Sequence, residues 1–296
     1  MNALNKKSLI IFGSGYLGSH AARFALNAGM QVTALTRNVK QANALIEAGV
    51  QHTLTDNLES DTWHASAAHH YDYALNCVSA GPGGIDAYRL SYIEGMRSIL
   101  SWLKHSRVGT FVYTSSTGVY PQNDGSQVSE NAKTGGSERA DILREAERLL
   151  ESSHGISRYF ILRLSGIYGP GRHYLLNALL KGETVFPGTG TYPLNLAHID
   201  DITRAIFDCF NAASTVPGTV YNISDGNPAN KAEVVEWLAE ATGSTKPTFN
   251  KNAKTVRQTP PKNRLILSDK IKRELTWLPL HAEFKSCYQE ILNNVK

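Results

Sequence analysis

Gly13, Gly15 and Gly18 stand between an apolar run, Leu9–Phe12, and a stretch in which Leu17, Ala21, Phe24 and Ala25 recur at helical spacing. A strand that breaks at a glycine turn and continues as a helix leaves few folds open. Each glycine in this G-x-G-x-x-G run answers a separate steric need. Gly13 permits the tight turn. Gly15 has no side chain to keep a ligand off the backbone. Gly18 lets the helix lie close against the strand. The unpaired N–H groups of the helix start, reinforced by the helix dipole, then face an anion. The anion this arrangement suits is the pyrophosphate of a dinucleotide, and the first ~20 residues read as the opening of a Rossmann unit.

The following residues keep the same rhythm. Strands are predicted at Ser8–Phe12, Gln31–Leu35, Gln51–Thr55, Tyr73–Val78, Thr110–Thr114 and Tyr159–Leu164. Between them, helices are predicted at Leu17–Asn27, Val39–Ala48, Asp61–His70, Ile85–His105 and Ser137–Ser153. Such alternation gives a doubly wound parallel sheet with helices on both faces, an α/β fold. Beyond Leu164 glycine, proline and tyrosine crowd residues 166–193, as in loops that bind ligands. Further helices are predicted at Ile202–Phe210, Lys231–Ala241 and Asp269–Leu275. The expected division is a dinucleotide-binding domain over 1–168, to which 195–224 returns. A small substrate lobe is expected over 169–194 and 225–296.

Composition removes several classes of function. The net charge is only +4 over 296 residues, and the densest basic group, Lys270, Lys272 and Arg273, suits a solvated helix face rather than a nucleic-acid surface. Cys77, Cys209 and Cys287 lie far apart and form no C-x-x-C, which fits a reducing, cytoplasmic setting. No run approaches the ~18 apolar residues of a membrane span. His64, His69 and His70 lack the i, i+4 spacing of a helical metal pair, so no metal site is expected from them. There is no G-x-S-x-G nucleophile elbow.

The end of the second strand selects the dinucleotide. A carboxylate there would bind the ribose 2′-hydroxyl; this chain has Thr36 followed by Arg37. A guanidinium pairs with a 2′-phosphate, which favours NADP over NAD, with NAD kept as the alternative. Asp56, just past the third strand, is a candidate for the adenine amino group or for a turn cap.

Six segments in order resemble the extended short-chain dehydrogenase/reductases, the NAD-dependent epimerase/dehydratase family. They are Gly13–Gly18; Asn76-Cys77-Val78-Ser79-Ala80; Thr114-Ser115-Ser116-Thr117-Gly118-Val119-Tyr120; Arg163-Leu164-Ser165-Gly166-Ile167-Tyr168-Gly169-Pro170-Gly171-Arg172; His198-Ile199-Asp200-Asp201; and Tyr221-Asn222-Ile223-Ser224-Asp225. The resemblance implies cofactor contacts from Gly13, Gly15, Tyr16, Leu17, Gly18, Ser79, Ala80, Ser115 and Leu164. It implies substrate contacts from Ser116, Ser165, Tyr168 and Arg172. It makes the His198 segment a strand-to-helix junction rather than a catalytic dyad. It also implies a homodimer through the two long helices, or else a monomer.

The family's catalytic Tyr-x-x-x-Lys lies on the helix after the fifth strand. Aligned through Ala146-Glu147-Arg148-Leu149-Leu150, that helix carries Arg139 in place of the Tyr and Leu143 in place of the Lys. Arginine stays protonated and leucine donates nothing, so the usual proton relay is absent. Ser116 remains to orient a carbonyl or hydroxyl, Tyr120 is the nearby phenol, and Arg139 is a candidate for an anionic group. The expected function is an NADP(H)-dependent oxidoreductase, epimerase or dehydratase on a small anionic or sugar-like substrate. The alternative is a catalytically silent NADP(H) sensor acting through a protein partner.

Overall fold

The computed structural model describes residues 4–153, 156–253 and 262–295. The first half alternates β1 (Ser8–Phe12), α1 (Tyr16–Asn27), β2 (Gln31–Thr36), α2 (Val39–Glu47), β3 (His52–Thr55) and β4 (His70–Asn76). A long helical segment follows as α3 (Gly84–Arg89), a π-helical turn (Leu90–Glu94) and α4 (Gly95–Trp102). Then come β5 (Arg107–Ser116), β6 (Gln127–Val128), α5 (Glu138–Glu151), β7 (Ile156–Leu164), β8 (Gly166–Tyr168), α6 (Tyr174–Leu180), β9 (Val185–Pro187) and β10 (Leu196–His198). The chain ends with α7 (Ile199–Asn211), β11 (Thr219–Ile223), α8 (Lys231–Thr242), β12 (Thr248–Asn250), β13 (Leu265–Ile266), α9 (Asp269–Leu275) and α10 (Phe284–Val295).

Seven parallel strands form the main sheet in the order β11-β7-β5-β4-β1-β2-β3. The order reverses between β1 and β4, so the connections leave these two strands in opposite directions and open a crevice at their C-terminal ends. The strands are apolar on both faces. Leu9 and Ile11 face one cluster with α1 and α7, while Ile10 and Phe12 face another with Trp63, Met96, Ile99 and Trp102. A sheet covered on both faces requires strands of this kind. No helix among the described residues is long and apolar enough to cross a membrane.

Several elements depart from expectation. The helix expected over Asp61–His70 is a single 3-10 turn, Thr62–Ser66. Trp63 is buried there with Nε1 donating to Leu58 O, and β4 already begins at His70, paired with Arg107 of β5. The expected Ile85–His105 helix forms, but with the π turn in its middle. Strand β11 and helices α6 and α10 are additional.

A separate apolar cluster joins Tyr168, α6, α8 and α10. Ile271 and Trp277 instead pack into the core beside α1 and α7. The C-terminal residues thus serve both cores.

Asp225, just after β11, makes stability depend on pH. Burial pushes its carboxyl up from 3.8 to about 7, against the opposing pull of the Asn227 and Gly226 backbone. Between those values the folded chain holds a proton that the unfolded chain has lost. The stabilising contribution is full below about pH 4 and disappears as pH rises through about 7. Asp225→Asn removes this ionisation while keeping an oxygen for Asn227 N. Relative to wild type, the variant should gain melting temperature at pH 8 compared with pH 4.5. An equal difference at both pH values would show that Asp225 does not titrate this way.

Candidate active site

The crevice at the sheet reversal is a cleft of about 490 Å³. Its floor is the glycine turn. Gly13 has φ +90°, and a Cβ there would stand 2.6 Å from Val78 Cα. A Cβ on Gly18 would stand 2.3 Å from Gly13 O, so this glycine permits close packing of α1 and does not itself line the cleft. Gly15 is the opposite case: nothing lies within 4 Å of the place its Cβ would occupy. Gly15 also forms the N-cap of α1 without any side-chain cap, which leaves first-turn amides for a ligand. A pyrophosphate fits this open, donor-rich cradle. Tyr16 and Leu17 line it as well.

Thr36, Arg37 and Asp56 edge the same cleft. Arg37 Nη2 lies 2.7 Å from where a Cβ on Gly81 would be, so that glycine makes room for the guanidinium. The Asp56 carboxylate accepts from Asn57 N at 2.7 Å and from the Thr62 hydroxyl, so it braces a turn while facing the cleft. Ser79 lines the cleft, whereas Ala80 does not: its backbone bonds the Tyr92 hydroxyl instead.

Across the cleft, Ser115 and Ser116 end β5, with Leu164 and Ser165 beside them at the end of β7. Ser116 Oγ accepts from Gly118 N at 3.0 Å, which caps a short turn and leaves its own O–H to donate. Ser165 Oγ is buried and has no partner among the described residues. Tyr120 is not a catalytic candidate in this geometry. It is fully buried, donates to Asn222 Oδ1 at 2.7 Å and accepts from Arg163 Nη1 at 2.8 Å. Burial raises its pKa against the pull of Arg163 and Asn222, and, unlike residues of the cleft lining, its hydroxyl is closed in by those partners.

Tyr168 is likewise displaced from its expected role. Its ring lies among the second apolar cluster, stacked 5.6 Å from Tyr288 and edge-on to His198 at 5.2 Å, and it does not reach the cleft. Arg172 does line the cleft, with its guanidinium over the Tyr16 ring at 5.5 Å. Arg139 does not line it; its guanidinium lies over the Tyr88 ring at 5.5 Å.

The family model for the NAD-dependent epimerase/dehydratase family matches residues 9–224. The chain belongs to this family. Among relatives, protein YeeZ of Escherichia coli K12 is 28% identical over 251 residues, covering 82% of this chain and 86% of YeeZ. The 2-alkyl-3-oxoalkanoate reductase of Stenotrophomonas maltophilia is 24% identical over 253 residues, covering 80% and 76%. Among solved structures, the UDP-glucuronic acid 4-epimerase of Bacillus cereus, in complex with UDP-glucuronic acid and NAD, superposes with a TM-score of 0.81. It covers 98% of this chain and 100% of its own at 18% identity, a likeness of fold.

Helix α5 carries neither a tyrosine nor a lysine. Leu143, at the position where the resemblance would put the catalytic Lys, is buried beside Val119, Tyr120 and Val128. Tyr88 and Tyr92 pack against the same group, their rings 4.5 Å apart. Tyr92 also lines the cleft, carried there by the π turn. Burial raises the Tyr92 hydroxyl's pKa, while the Ala80 backbone and the Tyr88 hydroxyl pull it down. A regular 3.6-residue period does not predict the face on which Tyr92 lies, because the π turn shifts the phase of this helix. The signal available was the Tyr-x-x-x-Tyr spacing itself.

Proposed function

We propose that this chain is an NADP(H)-dependent oxidoreductase acting at a carbonyl or hydroxyl carbon of a small anionic substrate. Arg37 and Thr36 offer a cation and a neutral neighbour to a ribose 2′-phosphate. The bound nicotinamide supplies or accepts the hydride. Ser116 donates a hydrogen bond to the reacting oxygen. Tyr92 moves the proton that the absent Tyr-x-x-x-Lys would otherwise move, supported by Tyr88, which in turn lies under the Arg139 guanidinium. Arg172 offers a cation to the substrate's anionic group.

The observation that carries this reading is that Ser116 and Tyr92 line the same cleft as the glycine cradle. The relatives point to the same substrate chemistry. The Stenotrophomonas protein is named for a 3-oxo acid, and the Bacillus structure holds a uronic acid nucleotide; both ligands carry a carboxylate.

The test is titration with NADPH and NADH, followed by turnover on 3-oxo acids, simple aldehydes and ketones, and uronate sugar nucleotides. Nicotinamide absorbance reports hydride transfer. Net oxidation or reduction that weakens on Ser116→Ala supports the proposal. Tight NADPH binding without turnover across the panel would favour the sensor reading. Arg37→Glu should weaken NADPH binding by about 10–100-fold with little change for NADH. Equal losses for both would remove Arg37 from the choice of cofactor.

A further inference from the structure

Three imidazoles surround one carboxylate behind the cofactor loop. His198 ends β10, Asp200 sits in the first turn of α7, His281 lies between α9 and α10, and His20 is on α1. His198 Nδ1 and His281 Nε2 both point at Asp200 Oδ2, from 3.5 and 3.4 Å. His20 Nε2 holds the other carboxylate oxygen, Oδ1, at 2.7 Å.

These distances fall into two kinds. The His20 contact has the length of a charge-assisted hydrogen bond. The other two are too long for one. They match the ~3.3–3.4 Å separation of two ligand atoms that each lie ~2.0–2.1 Å from a tetrahedral zinc. The His198 and His281 ring centres are 3.9 Å apart, and the three ligand atoms lie within 4.8 Å of one another, so a small inward turn of the rings brings both nitrogens to an ion held by Asp200. Asp200 N donates to His198 Nδ1 at 3.4 Å and so caps α7, a long bond that an ion would have to displace from that lone pair.

The cluster is also held in place. Asp201 accepts from Leu280 N at 2.7 Å and from His281 N at 2.9 Å, which pins the His281 loop to the start of α7. The two first-turn carboxylates offset the positive end of that helix. His20 fixes the orientation of the Asp200 carboxylate, as outer partners of metal ligands do.

We propose that His198, Asp200 and His281 form a binding site for a zinc-class divalent cation, with His20 as the outer partner of Asp200. Two imidazoles and a carboxylate suit zinc, and an open fourth position remains for water. The ion fastens the segment before α10 to α7. Tyr16 connects the site to the cleft: its hydroxyl and His198 Nε2 lie 2.9 and 3.2 Å from where a Cβ on Gly169 would stand. The site is therefore one side chain behind the wall of the cofactor cleft.

The experiment uses the full chain, stripped with a chelator and titrated with Zn²⁺ by calorimetry, with metal content measured after dialysis. The expected result is one Zn²⁺ per chain, a rise in melting temperature on loading, and visible bands of a tetrahedral site when Co²⁺ replaces Zn²⁺. His198→Ala and His281→Gln should abolish stoichiometric binding, and His20→Gln should weaken it by about 10-fold. His64→Ala, remote from the cluster, should leave it intact. Should His198→Ala fail to fold, His281→Gln carries the test, because His281 sits on a loop and is only partly buried. No saturable binding, or binding unchanged in His281→Gln, overturns the proposal.

Discussion

Replacing Glu147 with alanine is expected to cost about 3–5 kcal/mol of folding stability, the loss typical of breaking a buried ion pair from one side. The Glu147 side chain is completely buried. It accepts from Arg163 Nε at 3.0 Å and Nη2 at 2.7 Å, from Ser115 Oγ at 2.6 Å, and from Arg144. Burial by itself would raise its pKa, but Arg163, Ser115 and Arg144 together hold the carboxyl below the ordinary value. Arg163 in turn bonds Tyr120 and the Glu130 carbonyl, and Tyr120 bonds Asn222. The network therefore joins β5, α5, β7 and β11 beneath the cleft. Alanine would leave the Arg163 guanidinium charged, buried and short of its partner. The double variant Glu147→Leu, Arg163→Met should recover much of the loss, because it buries no orphaned charge. Urea unfolding measures both. A single-variant loss below ~1 kcal/mol would mean the pair contributes little beyond an exposed one.

Much of the fold was legible because its signals are local. Gly13, Gly15 and Gly18 announce a strand, a turn and a helix within six residues, and the structure gives each glycine the steric reason expected of it. The parallel sheet followed from alternation alone. Failures arose where long-range packing decides. His69 and His70 looked helical, but the β4–β5 pairing extends the strand to His70. Tyr120 looked available as a phenol because nothing nearby in sequence reveals Arg163 and Asn222 closing over it. Tyr168 sits in a ligand-like run of residues, yet its ring is absorbed by α10, whose apolar Phe284, Cys287, Tyr288 and Ile291 do repeat at helical spacing. The His198, Asp200 and His281 cluster was out of reach in principle, since its members are brought together only by the fold.

Tyr92→Phe is expected to lower kcat by about 10²–10⁴-fold, the usual worth of one positioned general acid, while NADPH affinity stays near that of wild type. Leu143 fills its position with apolar bulk and Arg139 turns to Tyr88, so neither supplies a proton. Among the described residues, the tyrosines that line the cleft are Tyr16 and Tyr92. Tyr16 donates to Pro170 O at 2.9 Å, and burial pushes its pKa up to about 12, which leaves it a poor shuttle. Tyr92 is opposed in its burial shift by two hydrogen bonds that favour its ionised form, one from Ala80 and one from Tyr88. Removing only the hydroxyl keeps the ring packed against Tyr88, so the fold should persist, which thermal melting checks. Tyr88→Phe removes one of those two bonds, so it should move the basic limb of the kcat profile to higher pH with a smaller loss of rate. A merely structural Tyr88 would leave that limb in place. Turnover by Tyr92→Phe within about threefold of wild type would take Tyr92 out of the proton transfer and leave the donor to the substrate itself or to water.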